Sequence, residues 1–137
     1  VINYSKDDFT KEVMKLTNND GVPAVFDGVG KKTFYGSLDC LKIRGTMVSF
    51  GNASGPLDPV DVPKYIQPKG LYLTRPSIAQ YFTNREELQA GANEIFEKIK
   101  FGKIKIKISK KYKLADASQA HADLEARKLT GPAILIP

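Results

Sequence analysis

The stretch "PAVFDGVG", residues 23–30, is a short apolar run that ends in a turn with two glycines. An apolar run of this length, bounded by proline and glycine, is typical of a buried strand. Residues 31–42 follow with Phe34, Leu38 and Leu41 on one stripe, which predicts a helix. A strand, a glycine turn and a helix in this order form the repeating unit of a parallel sheet.

The rest of the first half continues this alternation. Ser5, followed by acidic residues, predicts the N-cap of a helix that precedes the first strand. Gly45 is predicted to separate the helix of residues 31–42 from a second strand, "TMVSFG", and "LYLT" is predicted to be a third. A stretch rich in proline and glycine, residues 51–70, lies between these strands and predicts a long loop with at most one helical turn. We therefore expect an α/β fold with a parallel sheet covered on both faces.

The second half predicts a long helix and two further strands. A capping box of Thr83 and Glu86 opens the helix of residues 84–100, and Gly102 ends it. Isoleucine and lysine alternate over residues 104–108, which predicts a strand with one polar face. Asp116 is predicted to cap a helix that extends to about Lys128, and "PAILIP" is predicted to be the last strand.

Composition excludes several classes of site. Cys40 is the only cysteine and His121 the only histidine, so an internal disulfide and a zinc site built from Cys and His are excluded. Both residues are interpreted as structural. A single cysteine fits a reducing, cytoplasmic setting, and no apolar run is long enough to span a membrane. Because Val1 stands where a methionine would, we expect the chain to begin inside a gene or after processing.

The net charge of +6 is concentrated in residues 98–113, which are rich in lysine and contain no acidic residue. Such a patch is what a nucleic-acid-binding protein would carry. The favoured interpretation is the solvated face of a strand, because lysines on an exposed edge also discourage aggregation. The aromatic platform of an RNA-binding module does not accompany these lysines.

The three strands of the first half end in "DGVG", "FGNASG" and "TRP". Carboxyl ends of parallel strands meet at one edge, where ligands of such sheets bind, so we expect a ligand along this edge. The stretch "DGVGKKT" fits neither the P-loop nor the dinucleotide fingerprint and is interpreted as a close-approach turn. Asp27 is expected to stabilise this turn or to face a ribose. That the glycines serve turn geometry alone remains an equal alternative.

Several motifs together carry a family resemblance. "VINY", "FDGVG", "SLDCLKIRGTMVSFGNASG", "YLTRP" and "GPAILIP" resemble the C-terminal portion of NADPH-dependent quinone oxidoreductases, the zinc-free, zeta-crystallin-like branch of the medium-chain dehydrogenase/reductase superfamily. The resemblance covers this whole chain but less than half of a family member. It implies that residues 1–100 are the C-terminal half of a Rossmann-like, doubly wound NADPH-binding domain. It also implies that residues 101–137 return as strand, helix and strand to the catalytic, GroES-like domain.

The resemblance implies which residues contact NADPH. Tyr4 corresponds to a contact with the adenosine and its 2′-phosphate, and residues 28–30 lie near the ribose. Residues 50–53 and 73–75 lie near the nicotinamide end, and an arginine reaches the cofactor from the last helix. The implied set is Tyr4, Gly28, Val29, Gly30, Phe50, Gly51, Asn52, Ala53, Leu73, Thr74, Arg75 and Arg127.

Each of these residues also has an ordinary structural interpretation. Phe50 and Leu73 are candidates for the core, Tyr4 for a cap on the sheet, and Arg75 for a partner of an acidic residue. The resemblance assigns no catalytic residue and no metal ligand to this chain.

The resemblance implies metal-independent electron transfer from NADPH to a quinone in the complete protein. It also implies a cytoplasmic homodimer that pairs the edge strands of residues 71–75. Because the pyrophosphate loop is missing, we expect this chain alone to be inactive and to bind NADPH poorly. Two alternatives stay open: a non-catalytic dimerisation or binding module, and a nucleic-acid binder that uses the lysine-rich strand.

Overall fold

The computed structural model describes all residues, 1–137, and the chain forms two compact units. Unit one comprises Val1–Tyr81 and unit two comprises Phe82–Pro137. The predicted boundary after residue 100 refers to the domains of a complete family member, and it stays a prediction.

Unit one is built on a three-stranded parallel sheet, which confirms the predicted fold class. Its strands are β1 (Val22–Asp27), β2 (Leu41–Ser49) and β3 (Tyr72–Thr74), and they lie side by side in that order. Asp27 pairs with Ser49, and Val48 pairs with Thr74. The carboxyl ends of the three strands therefore share one edge of the sheet.

Four helices accompany this sheet: α1 (Phe9–Leu16), α2 (Phe34–Asp39), α3 (Val62–Tyr65) and α4 (Ile78–Tyr81). The N-cap of α1 is Asp8, whose carboxylate accepts a hydrogen bond from the Lys11 N–H. The predicted cap, Ser5, is wrong because its N–H is held by the Asn3 side chain in a turn before the helix. The loop of residues 51–70 contains α3 and one additional 3₁₀ turn, Gln67–Lys69.

Helix α2 is shorter than predicted, and β2 begins at Leu41 rather than after Gly45. The Lys69 ammonium donates to the carbonyls of Leu38, Asp39 and Leu41 and so closes the end of α2. Residues 42–45 of β2 lie opposite Pro23 alone in the pairing with β1. Proline has no N–H for the ladder, so the sheet forms a bulge there instead of a break.

The core of unit one lies on one face of its sheet. Its buried members are Phe34, Leu38, Leu41, Met47 and Leu71. On the opposite face, Phe26 and Tyr72 are 71% and 63% exposed. Helix α5 (Arg85–Lys100), the longest helix of the chain, belongs to unit two and has no buried residue.

Unit two begins with α5, as predicted, but its cap lies one residue later than expected. Asn84 accepts a hydrogen bond from the Glu87 N–H, and the Glu87 carboxylate accepts from the N–H and the hydroxyl of Thr83. The pair of Thr83 and Glu86 is therefore replaced by Asn84 and Glu87. Gly102, at φ 70°, ends the helix as predicted.

The remaining elements of unit two are β4 (Lys110–Lys113), a 3₁₀ turn (Leu114–Asp116), α6 (Ala117–Glu125) and β5 (Ala133–Ile136). The parallel pairing of β4 with β5 confirms the last strand. The predicted strand of residues 104–108 is wrong: these residues lie in no sheet because β5 pairs only with residues 110–113, and a strand needs a partner. Helix α6 begins after Asp116, as predicted, but ends before Lys128.

Candidate cofactor site

Two turns meet at the carboxyl edge of the sheet in unit one. We call residues 28–30 the first turn and residues 50–55 the second turn. The N–H groups of Phe50, Ala53 and Ser54 donate to the carbonyls of Asp27, Gly28 and Val29 at 2.9, 3.3 and 2.7 Å. The turns that follow β1 and β2 are thus joined directly by their backbones.

Glycine allows this close approach. A Cβ atom added to Gly51 would lie 2.3 Å from the Gly28 carbonyl oxygen. A Cβ on Gly28 would lie 3.0 Å from the Phe50 ring, and Gly30 has φ 86°, where a side chain is strained. At Gly51 and Gly30 the turn-geometry interpretation of the sequence therefore accounts for the glycine.

Arg75 brings the end of β3 to the second turn. Its Nη1 atom donates to the carbonyls of Ser49 and Gly51 at 2.9 and 3.3 Å. The alternative of an acidic partner for Arg75 is wrong, because its guanidinium donates instead to two carbonyl oxygens and a hydroxyl oxygen. Leu73 and Thr74 lie on β3 immediately before it, and Leu73 pairs with Met47. The three strand ends therefore lie together, as the sequence predicted.

Asp27 is a buried carboxylate, 4% exposed, at the base of the first turn. Its Oδ1 accepts from the N–H groups of Val29 and Gly30 at 2.8 and 2.9 Å, and its Oδ2 accepts from the hydroxyls of Thr33 and Ser37 at 2.8 and 2.9 Å. Burial alone would raise the pKa of Asp27, but the hydrogen bonds outweigh it and hold the pKa below its usual value. Asp27 is ionised and stabilises the turn.

Most backbone N–H groups of the first turn already donate hydrogen bonds within the chain, so they are not free to bind an anion. The N–H groups of Val29 and Gly30 point to Asp27, and the carbonyls of residues 28–30 accept bonds from the second turn or from α2. The stretch is therefore no phosphate cradle, in agreement with the sequence interpretation. In the second turn, the N–H groups of Gly51 and Asn52 and the Asn52 carboxamide make no hydrogen bond within the chain.

Aromatic side chains lie exposed beside the two turns. Phe50 is 55% exposed, so the core interpretation of this residue is wrong. Tyr4 and Phe26 line a cavity of about 300 Å³ together with Gly28 and Val29. Apolar walls, glycine backbone and a few free donors are the features that accommodate a flat cofactor ring, and the residues present fit such a group.

Arg127 lies in unit two, directly after α6. It has φ 54°, and its N–H donates to the Leu124 carbonyl while the Lys128 N–H donates to the Asp123 carbonyl. This is the left-handed ending that glycine usually supplies. The sequence predicted that Arg127 lies within the last helix; the helix instead ends before it, at Glu125, and no sequence pattern predicted the left-handed backbone.

The chain contains neither a cluster of metal ligands nor a helix that could cross a membrane. No group of three or more His, Cys, Asp or Glu side chains is placed to hold a metal ion. Cys40 is buried, and burial raises the pKa of its thiol. None of the helices is both long enough and apolar enough to cross a membrane.

Comparison with known proteins identifies the family. The sequence pattern of the zinc-binding dehydrogenase family matches residues 1–135. The chain belongs to this family. Among related proteins in it, the quinone oxidoreductase of Pseudomonas aeruginosa is 44% identical over 136 residues, which are 99% of this chain and 42% of that protein.

Other family members extend this comparison. Quinone oxidoreductase 1 of Escherichia coli is 45% identical over all of this chain and 42% of its own length. The crystal structure of the Escherichia coli quinone oxidoreductase complexed with NADPH matches with a TM-score of 0.92, at 45% identity over 100% of this chain and 43% of that chain. The 2-haloacrylate reductase of a Burkholderia species is 37% identical over 99% of this chain. The chain spans about two-fifths of the length of these curated relatives.

Proposed function

We propose that this chain forms the C-terminal part of an NADPH-dependent quinone oxidoreductase and supplies the rim against which the ribose and nicotinamide half of the cofactor lies. The observation that carries the proposal is the direct joining of the two turns at the edge of a parallel sheet. A relative at 45% identity, whose structure contains NADPH, supports the choice of cofactor.

NADPH, when bound, supplies the reducing electrons. The residues of this chain bind and orient it: the first turn offers a smooth glycine surface, and the second turn offers the free N–H groups of Gly51 and Asn52. Phe50 shields the ring from water. By resemblance, Tyr4 belongs to the adenosine end, Leu73, Thr74 and Arg75 belong to the nicotinamide end, and Arg127 reaches the cofactor from the last helix.

The proposal gives this chain no metal ligand and no residue that transfers a proton. The electron acceptor is a quinone by analogy with the quinone oxidoreductases of three bacteria. A 2-haloacrylate reductase is 37% identical over this segment, which supports our proposal that residues outside it choose the acceptor. We assign residues 1–100 to the nucleotide-binding domain and residues 101–137 to the catalytic domain, in a cytoplasmic protein.

We further propose a homodimer in which residues 71–75 of two copies pair edge to edge. Strand β3 is at the edge of its sheet, and Tyr72 and Leu73 on it are partly exposed. An edge strand presents unpaired backbone groups that a second copy of the same strand satisfies. The pairing continues one sheet across both subunits.

A titration tests the proposed function. The protein made from the complete reading frame that contains this chain is expected to bind NADPH more tightly than NADH and to reduce a soluble benzoquinone. This chain alone is expected to show no tight saturable binding, because the helix N-terminus and glycine loop that hold a pyrophosphate are missing from it. A complete protein that does not bind NADPH contradicts the proposal. Low-micromolar binding by this chain alone contradicts the assignment of pyrophosphate binding to residues outside it.

A further inference from the structure

Asp27 accepts four hydrogen bonds, and only two of their donors belong to the first turn. Its carboxylate is buried without a cationic partner and is held by four donors at 2.8–2.9 Å. Two of the donors are backbone groups of the first turn, and the other two are the Thr33 and Ser37 hydroxyls at the start of α2. The Asp27 side chain thus fixes the loop of residues 28–30, the first turn, against the start of helix α2.

The backbone of Asp27 and of the two residues after it connects the first turn to the second turn by hydrogen bonds. Its carbonyl accepts from the Phe50 N–H at 2.9 Å, and the next two carbonyls, of Gly28 and Val29, accept from Ala53 and Ser54. The free donors of Gly51 and Asn52 lie between these attachment points. Their direction therefore depends on where the first turn is held.

We infer that Asp27 is a positioning residue for the cofactor: it holds the first turn against α2 and, through it, aims the free donors of the second turn. The inference rests on the proposed function. Asp27 does not contact the cofactor itself, because both of its oxygens are already engaged by protein donors. Its effect is on affinity through geometry, since small displacements at a binding rim cost binding energy.

Two substitutions separate positioning from loss of stability. Asp27→Ala removes all four bonds. Asp27→Asn keeps an oxygen for the two backbone N–H groups, and its NH₂ meets hydroxyls that can rotate to accept. In the complete protein, Asp27→Ala is expected to raise the Kd for NADPH about ten-fold or more, and Asp27→Asn to restore most of the affinity.

Lys69→Met is the matched control in the same unit. It removes three hydrogen bonds to carbonyls near the end of α2 and the start of β2, at the amino-terminal end of β2, whereas the two turns lie at the carboxyl ends of the strands. It is expected to lower the unfolding midpoint and leave the Kd unchanged. If Asp27→Ala does not fold, Thr33→Val takes its place: it removes one donor at nearly constant volume and is expected to raise the Kd several-fold.

A second readout needs no cofactor. In this chain, amide hydrogen exchange at Val29 and Gly30 is expected to accelerate in Asp27→Ala and to stay slow in Lys69→Met, because only the former removes their acceptor. Unchanged exchange, or an unchanged Kd in Asp27→Ala or Thr33→Val while the wild type binds NADPH, overturns the inference alone. A wild-type protein that does not bind NADPH overturns the proposed function and this inference with it.

Discussion

The glycines of the two turns differ in what a methyl group at each position would meet. At Gly51 the obstacle is the Gly28 carbonyl, 2.3 Å away, which belongs to backbone fixed by several hydrogen bonds. At Gly28 it is the Phe50 ring, 3.0 Å away, which is 55% exposed and has room to turn. The same substitution therefore has unequal consequences at two residues that touch each other.

We predict that Gly51→Ala lowers the free energy of unfolding by about 1–3 kcal/mol, the usual cost of overpacking a fixed site. Gly28→Ala is expected to cost less, because only a half-exposed ring has to move. Thermal unfolding followed by circular dichroism measures both variants. Equal losses for the two variants would contradict the turn-to-turn contact.

A second prediction at this scale concerns pH. Hydrogen bonds hold the pKa of Asp27 below its usual value, and those from Lys110, Tyr112, Gln119 and Lys128 do the same for Asp123 in unit two, in each case against the effect of burial. A lowered carboxyl pKa gives stability that is complete above the unfolded pKa, near 4, and is lost as pH falls through the folded value.

The unfolding midpoint is therefore expected to stay level from neutral pH to about pH 5 and to fall below that. Asp27→Asn and Asp123→Asn each remove one carboxylate, so each variant is expected to show a shallower fall than the wild type. Midpoints measured at several pH values test this. A wild type and variants with the same slope would show that these carboxylates do not drive acid unfolding.

At the residue scale, the sequence predicted the glycine turn, and it offered turn stabilisation as one of two roles for Asp27, the other being a position that faces a ribose. It did not predict the partners Thr33 and Ser37. These bonds span six and ten residues and depend on how α2 packs over β1. Local pattern carries no information on that packing.

At the scale of elements, two arginines occupy left-handed backbone where glycine is preferred. Arg127 ends α6 at φ 54°, and Arg44 lies in the bulge of β2 at φ 59°. The left-handed region costs a residue with a Cβ about 1–2 kcal/mol, partly offset by the greater freedom of glycine in the unfolded chain. Strain of this kind persists only where the surrounding structure holds the residue in place, and it is concentrated at functional sites.

We predict that Arg127→Gly and Arg44→Gly both raise the free energy of unfolding, by up to about 1 kcal/mol. Of these two variants, only Arg127→Gly is expected to weaken NADPH binding, because Arg127 is proposed to reach the cofactor and Arg44 is not. Isothermal titration of the complete protein compares the two variants. Equal affinities for NADPH would remove Arg127 from the proposed site.

The elements that the sequence predicted correctly are those whose signal is local. Short apolar runs between turn residues gave β1, β3 and β5, and the glycine after α5 gave its end. The early start of β2 depends on the pairing of Leu41 with Val22 across the bulge at Pro23, and the strand predicted at residues 104–108 has no partner. Both errors concern pairing between distant segments, which periodicity does not encode.

At the scale of the molecule, this chain exposes apolar surfaces that the additional residues of a longer family member are able to cover. Phe26 and Tyr72 lie exposed on one sheet face, and Ile104, Ile106 and Ile108 lie exposed in the segment before β4. Exposed apolar surface of this kind favours association. We expect light scattering on this chain to give a mass above the 15.1 kDa of one copy.

Tyr72→Lys is expected to reduce this association, because a charge on the edge strand opposes pairing with a second copy. Leu16→Lys, at an exposed position on α1, is the control and is expected to leave it unchanged. A clean monomer for the wild type would contradict both the edge pairing and the unpartnered isoleucines.

In the proposed enzyme, the ends of three neighbouring strands hold the nicotinamide half of NADPH. A crystal structure of the complete protein with NADPH tests this arrangement most directly. We expect the ribose and nicotinamide to lie in van der Waals contact with residues 28–30 and 50–53. A cofactor seated elsewhere, with both turns open to solvent, would contradict the account.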